Sequence, residues 1–187
     1  MNLMGSILDS RGRRVVIGLA TIVVMASAGT AAAHGDDRVA SPVGTWGIQV
    51  QIRNCQSEAA IGLPFPSLIT LHKGGTLGET SGAEAAFANG QRSSGHGVWE
   101  KTGHRVYDMR VISLILFETG PNLPGSPGFN PALPVGPGFF KGWDTVTQTL
   151  RFTDADHFTS TGTSAFFKED GTLYREGCST AIGQRVF

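Results

Sequence analysis

The stretch that decides the fold is GTWGIQVQIR, residues 44–53. Every second position in it carries an apolar side chain, and glycine or a polar residue stands between them: Trp46, Ile48, Val50 and Ile52. A period of two is typical of a β-strand that buries one face. The sequence therefore predicts that the folded domain begins near Pro42 with a half-buried strand.

Further strand candidates, separated by short turns, continue to the end of the chain. They occupy residues 67–73, 76–80, 95–101, 104–118, 142–153, 156–168 and 172–182. Turn-forming residues separate several of these strands, as at Gly74-Gly75, Thr102-Gly103 and Asp170-Gly171. Because such a meander must hide its edges, we predict an all-β fold, an antiparallel meander closed into a barrel of about eight strands. A two-sheet sandwich is the alternative, and helix is limited to a turn near residues 83–88.

Composition excludes one class of partner. The chain has 187 residues, the size of a single domain, with 15 basic and 15 acidic residues. Its lysines and arginines form no cluster of the kind that nucleic-acid binding requires. We therefore expect no nucleic acid partner.

The first residues are predicted to direct export. Arg11, Arg13 and Arg14 precede an apolar run, residues 15–28, which is too short to span a bilayer, and residues 31–33 offer a small-residue cleavage site. We predict a signal peptide over residues 1–33, a flexible lead-in over 34–41, and a single domain over 42–187. Arg13-Arg14 also permits a twin-arginine signal. No later apolar run is long enough for a membrane anchor, so the protein is predicted to be secreted or periplasmic.

The chain contains two cysteines, Cys55 and Cys178. An even pair in an exported protein is most often oxidised, so we predict a disulfide between them. Unpaired thiols are the alternative. The bond fits a barrel because its first and last strands would be neighbours.

Two segments raise questions of packing. In residues 104–118 one apolar face contains Tyr107, Met109 and Phe117, and Ile112, Leu114 and Leu116 make the opposite face apolar as well. Either the following loop or another subunit should cover this second face, so a homo-oligomer is possible.

The loop that follows this strand, residues 119–139, alternates proline and glycine with apolar residues. We interpret it as an ordered flap on the barrel.

Gly44-Thr45-Trp46, the long meander and the predicted early-to-late disulfide resemble the calycin group of barrels, lipocalins especially, and equally the allene oxide cyclase type of barrel. The chain is also similar to secreted proteins of environmental bacteria. In lipocalins the tryptophan closes one end of the barrel, and an arginine of the last strand packs over it. The resemblance therefore implies that Trp46 closes an end, with Arg175 or Arg185 above it.

An interior lined by aromatic and apolar side chains would hold a small hydrophobic ligand, unless those side chains simply fill the core. The predicted lining residues are Trp46, Tyr107, Met109, Phe117, Phe158 and Phe166. His72, His96 and His104 lack metal-ligand spacing, so we predict no metal and no cofactor. His34 would be the mature N-terminal residue, where its amine and imidazole could chelate copper as in a histidine brace; because coordination geometry and not position decides such a site, we expect a disordered tail instead.

Acid–base candidates are the acidic residues Glu79, Glu100, Asp108, Glu118 and Asp144, with Arg92, Arg105 and Arg110 as anion partners. Glu118 is the catalytic candidate, because partial burial would raise its pKa. The hypotheses are a secreted carrier of a small hydrophobic molecule, an isomerase or cyclase of the allene oxide cyclase type, and a non-catalytic interaction protein. A cavity above roughly 300 Å³ separates the first two from the third, and a buried carboxylate inside it separates enzyme from carrier.

Overall fold

A computed structural model describes residues 41–82, 87–132 and 135–187 of the chain. Eight antiparallel strands close into a barrel in sequence order, with the last strand beside the first. The strands are β1 (Gly44–Arg53), β2 (Ala60–Leu71), β3 (Thr76–Ser81), β4 (Gly95–Gly103), β5 (Val106–Ile115), β6 (Gly142–Phe152), β7 (His157–Lys168) and β8 (Leu173–Arg185). The described ranges contain no helix. The predicted all-β barrel is confirmed, and the architecture is consistent with a calycin-like barrel.

Alternating side chains on each strand divide the molecule into an interior and an outer face. On β5, Tyr107 and Val111 are buried inside the barrel, whereas Ile112 and Leu114 are about half exposed on the outside. The predicted alternation stops at Ile115, where the strand ends. Phe117 was expected to continue the inner face, and this was wrong, because beyond the strand its side chain is 41% exposed.

One end of the barrel is filled by an aromatic cluster, here called the plug: Trp46, Tyr107, Phe152 and Phe158. Trp46 is fully buried, meets the rings of Phe152 and Phe158 edge-on, and donates its indole N–H to the Pro42 carbonyl at 2.9 Å. The Arg185 guanidinium lies 4.2 Å from the Trp46 ring centroid. Trp46 and Arg185 thus take the positions that the lipocalin resemblance implied, while Arg175 lies at the other end of β8.

The barrel closes along a seam between β1 and β8. Here Arg53 pairs with Cys178, and Cys178 forms the predicted disulfide with Cys55, which follows the end of β1. The bond joins residues separated by 123 positions in the sequence. The predicted disulfide is therefore confirmed, and it holds the two ends of the meander together.

Replacing both cysteines by serine should lower the free energy of unfolding by about 2–4 kcal/mol, because the bond restricts the unfolded chain more when it closes a long loop. Urea denaturation of the oxidised protein and of the Cys55→Ser/Cys178→Ser variant would measure the difference. Equal denaturation midpoints would contradict the expectation.

The flap, residues 119–139, is anchored at its base. Backbone bridges join Thr119 to Phe139 and Asn122 to Gly136, and the Asn122 side chain both donates to and accepts from the backbone of Asn130. Phe139 is buried against Phe87 and Phe166 at the open end of the barrel. Ile112 and Leu114 on the outer face of β5, and Leu116 just beyond its end, stay about half exposed, so the described part of the flap leaves that face open.

Three predictions fall on parts of the chain beyond the described residues. These are the signal peptide over residues 1–33, residues 34–40 of the lead-in predicted over 34–41, and residues 83–86 of the suggested helical turn. Within the described ranges, no helix has the length and apolar character needed to cross a membrane.

Candidate ligand-binding cavity

A cavity of about 470 Å³ occupies the barrel between the plug and the base of the flap. Apolar side chains from six of the eight strands form a large part of its wall: Ile48, Val50, Ile52, Phe65, Ile69, Met109, Val111, Val146, Phe166 and Ala181. Four exposed residues at the open end also line it: Cys55, Gln56, Ile61 and Glu176. The barrel is therefore filled at one end and hollow at the other.

An ion cluster of Glu79, Arg92 and Asp144 is built into the cavity wall. Arg92 Nη1 donates to Glu79 Oε2 at 2.9 Å, and Nη2 donates to Asp144 Oδ2 at 3.1 Å. Arg92 Nε also lies 3.2 Å from Asp144 Oδ1, so this pair is bidentate. Ser67 Oγ donates to the remaining Glu79 oxygen at 2.9 Å. One guanidinium thus holds two carboxylates that come from opposite parts of the sequence.

Desolvation affects the pKa of Asp144 more than its charged neighbours do. The side chain is 3% exposed, and loss of solvation raises its pKa above the ordinary carboxyl value. The charge of Arg92 and its hydrogen bonds lower the same pKa, whereas the charge of Glu79 raises it. Because the net shift is upward, Asp144 is the described carboxylate in this cavity best placed to exchange a proton with a bound molecule.

Polar side chains of β6 and β8 add hydrogen-bonding capacity to the cavity wall. Gln148 is buried, and its Nε2 donates to Ser179 Oγ at 2.7 Å. Gln148 Oε1 has no partner among the described residues. Buried polar atoms normally have a hydrogen-bond partner, so this oxygen is an acceptor that a molecule bound in the cavity could use.

Arg175 lines the cavity at its open end. Its guanidinium packs over the Phe139 ring, with 4.4 Å to the centroid, and Nη2 donates to the Gly138 carbonyl at 2.6 Å. Partial burial lowers the pKa of this arginine, and neighbouring Tyr174 raises it. Arg175 therefore connects the wall of the barrel to the base of the flap.

The predicted ligand-binding residues divide among three locations. Met109 and Phe166 line the cavity. Trp46, Tyr107 and Phe158 belong to the plug and fill the closed end instead. The sixth residue, Phe117, is exposed beyond the end of β5 and is absent from the lining.

The predicted acid–base and metal-binding candidates also lie in different parts of the structure. Glu118 is exposed and outside the cavity lining, so the burial that favoured it is not present. Glu79, Arg92 and Asp144 were separate candidates in the sequence and meet in space. His72, His96 and His104 are exposed, and no group of three potential metal ligands occurs in the described part of the chain.

A second depression, about 960 Å³, lies on the outside of β1, β2 and β8. It is open to solvent and includes the exposed Leu68 and Ile182 in its lining. It lacks a buried charged group like the ion cluster, so the inner cavity is the better candidate site.

No protein-family model matches the sequence, and no curated protein matches it. The function must therefore be inferred from the cavity's own residues.

Proposed function

We propose that the protein is an exported carrier that binds a small hydrophobic molecule inside its barrel. The observation that supports this most directly is the cavity itself, about 470 Å³, which is the size that small-molecule sites normally have. Its wall is mainly apolar with a few fixed polar groups, the combination that gives affinity together with orientation.

Two features support export. Arg11, Arg13 and Arg14 precede an apolar run and a small-residue site, the order found in signal peptides. The Cys55–Cys178 disulfide is a bond that persists in oxidising compartments and is rare in the cytosol. A carrier that works outside the cytoplasm is consistent with both.

Native mass spectrometry of protein recovered from secreting cells tests the carrier function. The expected result is an adduct that disappears on denaturation, and the denatured mass also reports the cleavage site. Ala181→Phe projects a ring from β8 into the cavity and should lower ligand occupancy by about tenfold or more, because the ring competes for the same volume.

Ile182→Phe is the matched control, since the next residue of β8 points outward and is 63% exposed. It should retain the adduct of the native protein. Adducts of equal occupancy in both variants, or a native protein that carries none, would contradict a carrier that uses this cavity.

A second candidate function is supported by the ion cluster. A buried carboxylate with a raised pKa beside an apolar cavity can move a proton on a bound molecule, which suits an isomerase or cyclase. Asp144, rather than Glu118, is the residue for that role. Chromatography of the recovered ligand after incubation with native protein and with Asp144→Asn distinguishes the two functions, since only an enzyme converts it in an Asp144-dependent way.

A further inference from the structure

Building on the proposed carrier function, we propose that the ligand is an amphipathic carboxylate, whose anionic group binds Arg175 while its apolar body lies in the barrel.

The guanidinium of Arg175 is held in place but only partly used. Its stacking on Phe139 and its bond to the Gly138 carbonyl fix the plane of the group. An arginine has five N–H donors, and the described residues accept from Arg175 only at Nη2. Most of its donors therefore remain for a bound molecule, and their geometry is already set.

Arg175 has no carboxylate counter-ion within the described part of the chain. Arg92 has Glu79 and Asp144 as partners, whereas no described carboxylate lies within ion-pair distance of Arg175. Glu176, the next residue, also reaches the cavity rim but is exposed. A partly desolvated cation without a counter-ion is unfavourable, and a planar guanidinium matches a carboxylate with two parallel hydrogen bonds.

The surroundings of Arg175 specify the rest of the ligand. Phe139 and Phe166 flank it, and behind them the wall continues through Val50, Ile52 and Phe65. A molecule anchored at Arg175 by its acid group would thus extend along apolar side chains toward the plug. Arg92 does not compete for the acid, because its own two carboxylates already occupy it.

Isothermal titration calorimetry with dodecanoate and 1-dodecanol at pH 8 tests the inference. The native protein should bind dodecanoate more tightly than the alcohol. Arg175→Gln should weaken dodecanoate binding by about 10- to 100-fold, the range expected for a charge-assisted hydrogen-bonding pair, and leave 1-dodecanol binding unchanged. Arg110→Gln, an exposed arginine on the outside of β5, is the matched control and should behave as native.

Arg175→Lys provides a second variant that keeps the charge and removes the planar fork. It should show an affinity for dodecanoate between those of the native protein and Arg175→Gln. Equal losses for dodecanoate and 1-dodecanol in either variant would overturn the inference while leaving the carrier function intact. Binding of neither compound by the native protein would also overturn the inference, whereas the carrier function is decided separately by the adduct in native mass spectrometry.

Discussion

Trp46→Ala is expected to lower the free energy of unfolding by about 3–5 kcal/mol, the range for deleting a large aromatic side chain from a core. The indole is fully buried, contacts two phenylalanine rings and carries the Arg185 guanidinium on its face. Its removal leaves a void in the plug and strips Arg185 of its packing partner. Urea denaturation followed by far-ultraviolet circular dichroism measures the loss.

Trp143→Ala is the control for this substitution. Trp143 lies on the outer face of β6, where it stacks on Phe167 with 5.5 Å between ring centroids. The loss there should be about 0.5–1.5 kcal/mol, the worth of an aromatic pair. Equal destabilisation by the two substitutions would show that the plug has no special part in stability.

Arg92→Met is expected to destabilise the fold by about 3–5 kcal/mol at neutral pH, because it leaves two buried carboxylates without their counter-ion. Glu79 and Asp144 both have side chains that are about nine-tenths buried or more. Denaturation of this variant and of Arg151→Met, a substitution on the exposed side of β6, provides the comparison.

The sign of the pH dependence follows from Asp144. Its pKa is raised in the folded protein, so the folded state binds this proton more readily than the unfolded chain does. Protonated Asp144 therefore contributes its full stabilisation below the carboxyl pKa of the unfolded chain. That stabilisation is lost as the pH rises through the pKa that Asp144 has in the folded protein. Without Arg92 the pKa rises further, so the deficit of Arg92→Met should grow from pH 4 to pH 8.

A deficit that stays constant over this range would contradict that account of the ion cluster. The triple variant Arg92→Met/Glu79→Gln/Asp144→Asn supplies a second test. It removes all three charges together, so it should be more stable at pH 8 than Arg92→Met alone.

The fold was predictable because its information is local. Alternation in residues 44–53 and turn residues such as Gly74-Gly75 and Asp170-Gly171 define strands and hairpins without knowledge of the rest of the chain. An apolar face on successive strands then leaves few architectures that hide it. These local signals account for the agreement between the predicted barrel and the eight strands of the structure.

The strand boundaries were harder to predict. β2 begins at Ala60, ahead of the predicted residue 67. Its prolines argued against a strand there, but they lie next to a register irregularity opposite Val50 and Ile52, where a missing backbone N–H is tolerated. The turn after β4 lies at residues 104–105 and not at Thr102-Gly103. Arg105 adopts a left-handed conformation there, with φ at 56°, for which the sequence carries no glycine signal.

The site could be predicted only in part. Glu79, Arg92 and Asp144 were candidates one by one, but their convergence depends on the closure of the barrel, which no local pattern encodes. Gln148 and Ser179 are buried at inward positions, where alternation favours apolar side chains, so no local pattern identified them as part of the site. Phe117 shows the opposite failure: the apolar pattern continues through it, but the strand ends at Ile115, so the residue lies outside the cavity.

The seam between β1 and β8 also governs the order of events when the chain folds. Every other pairing joins strands that are neighbours in sequence, so hairpins can form locally and early. Until β8 returns to β1 the molecule is an open sheet with two unpaired edges, the state most prone to associate with other chains. In the folded protein the Cys55–Cys178 bond spans this seam, so oxidation keeps the two ends of the meander from separating into that open, association-prone sheet.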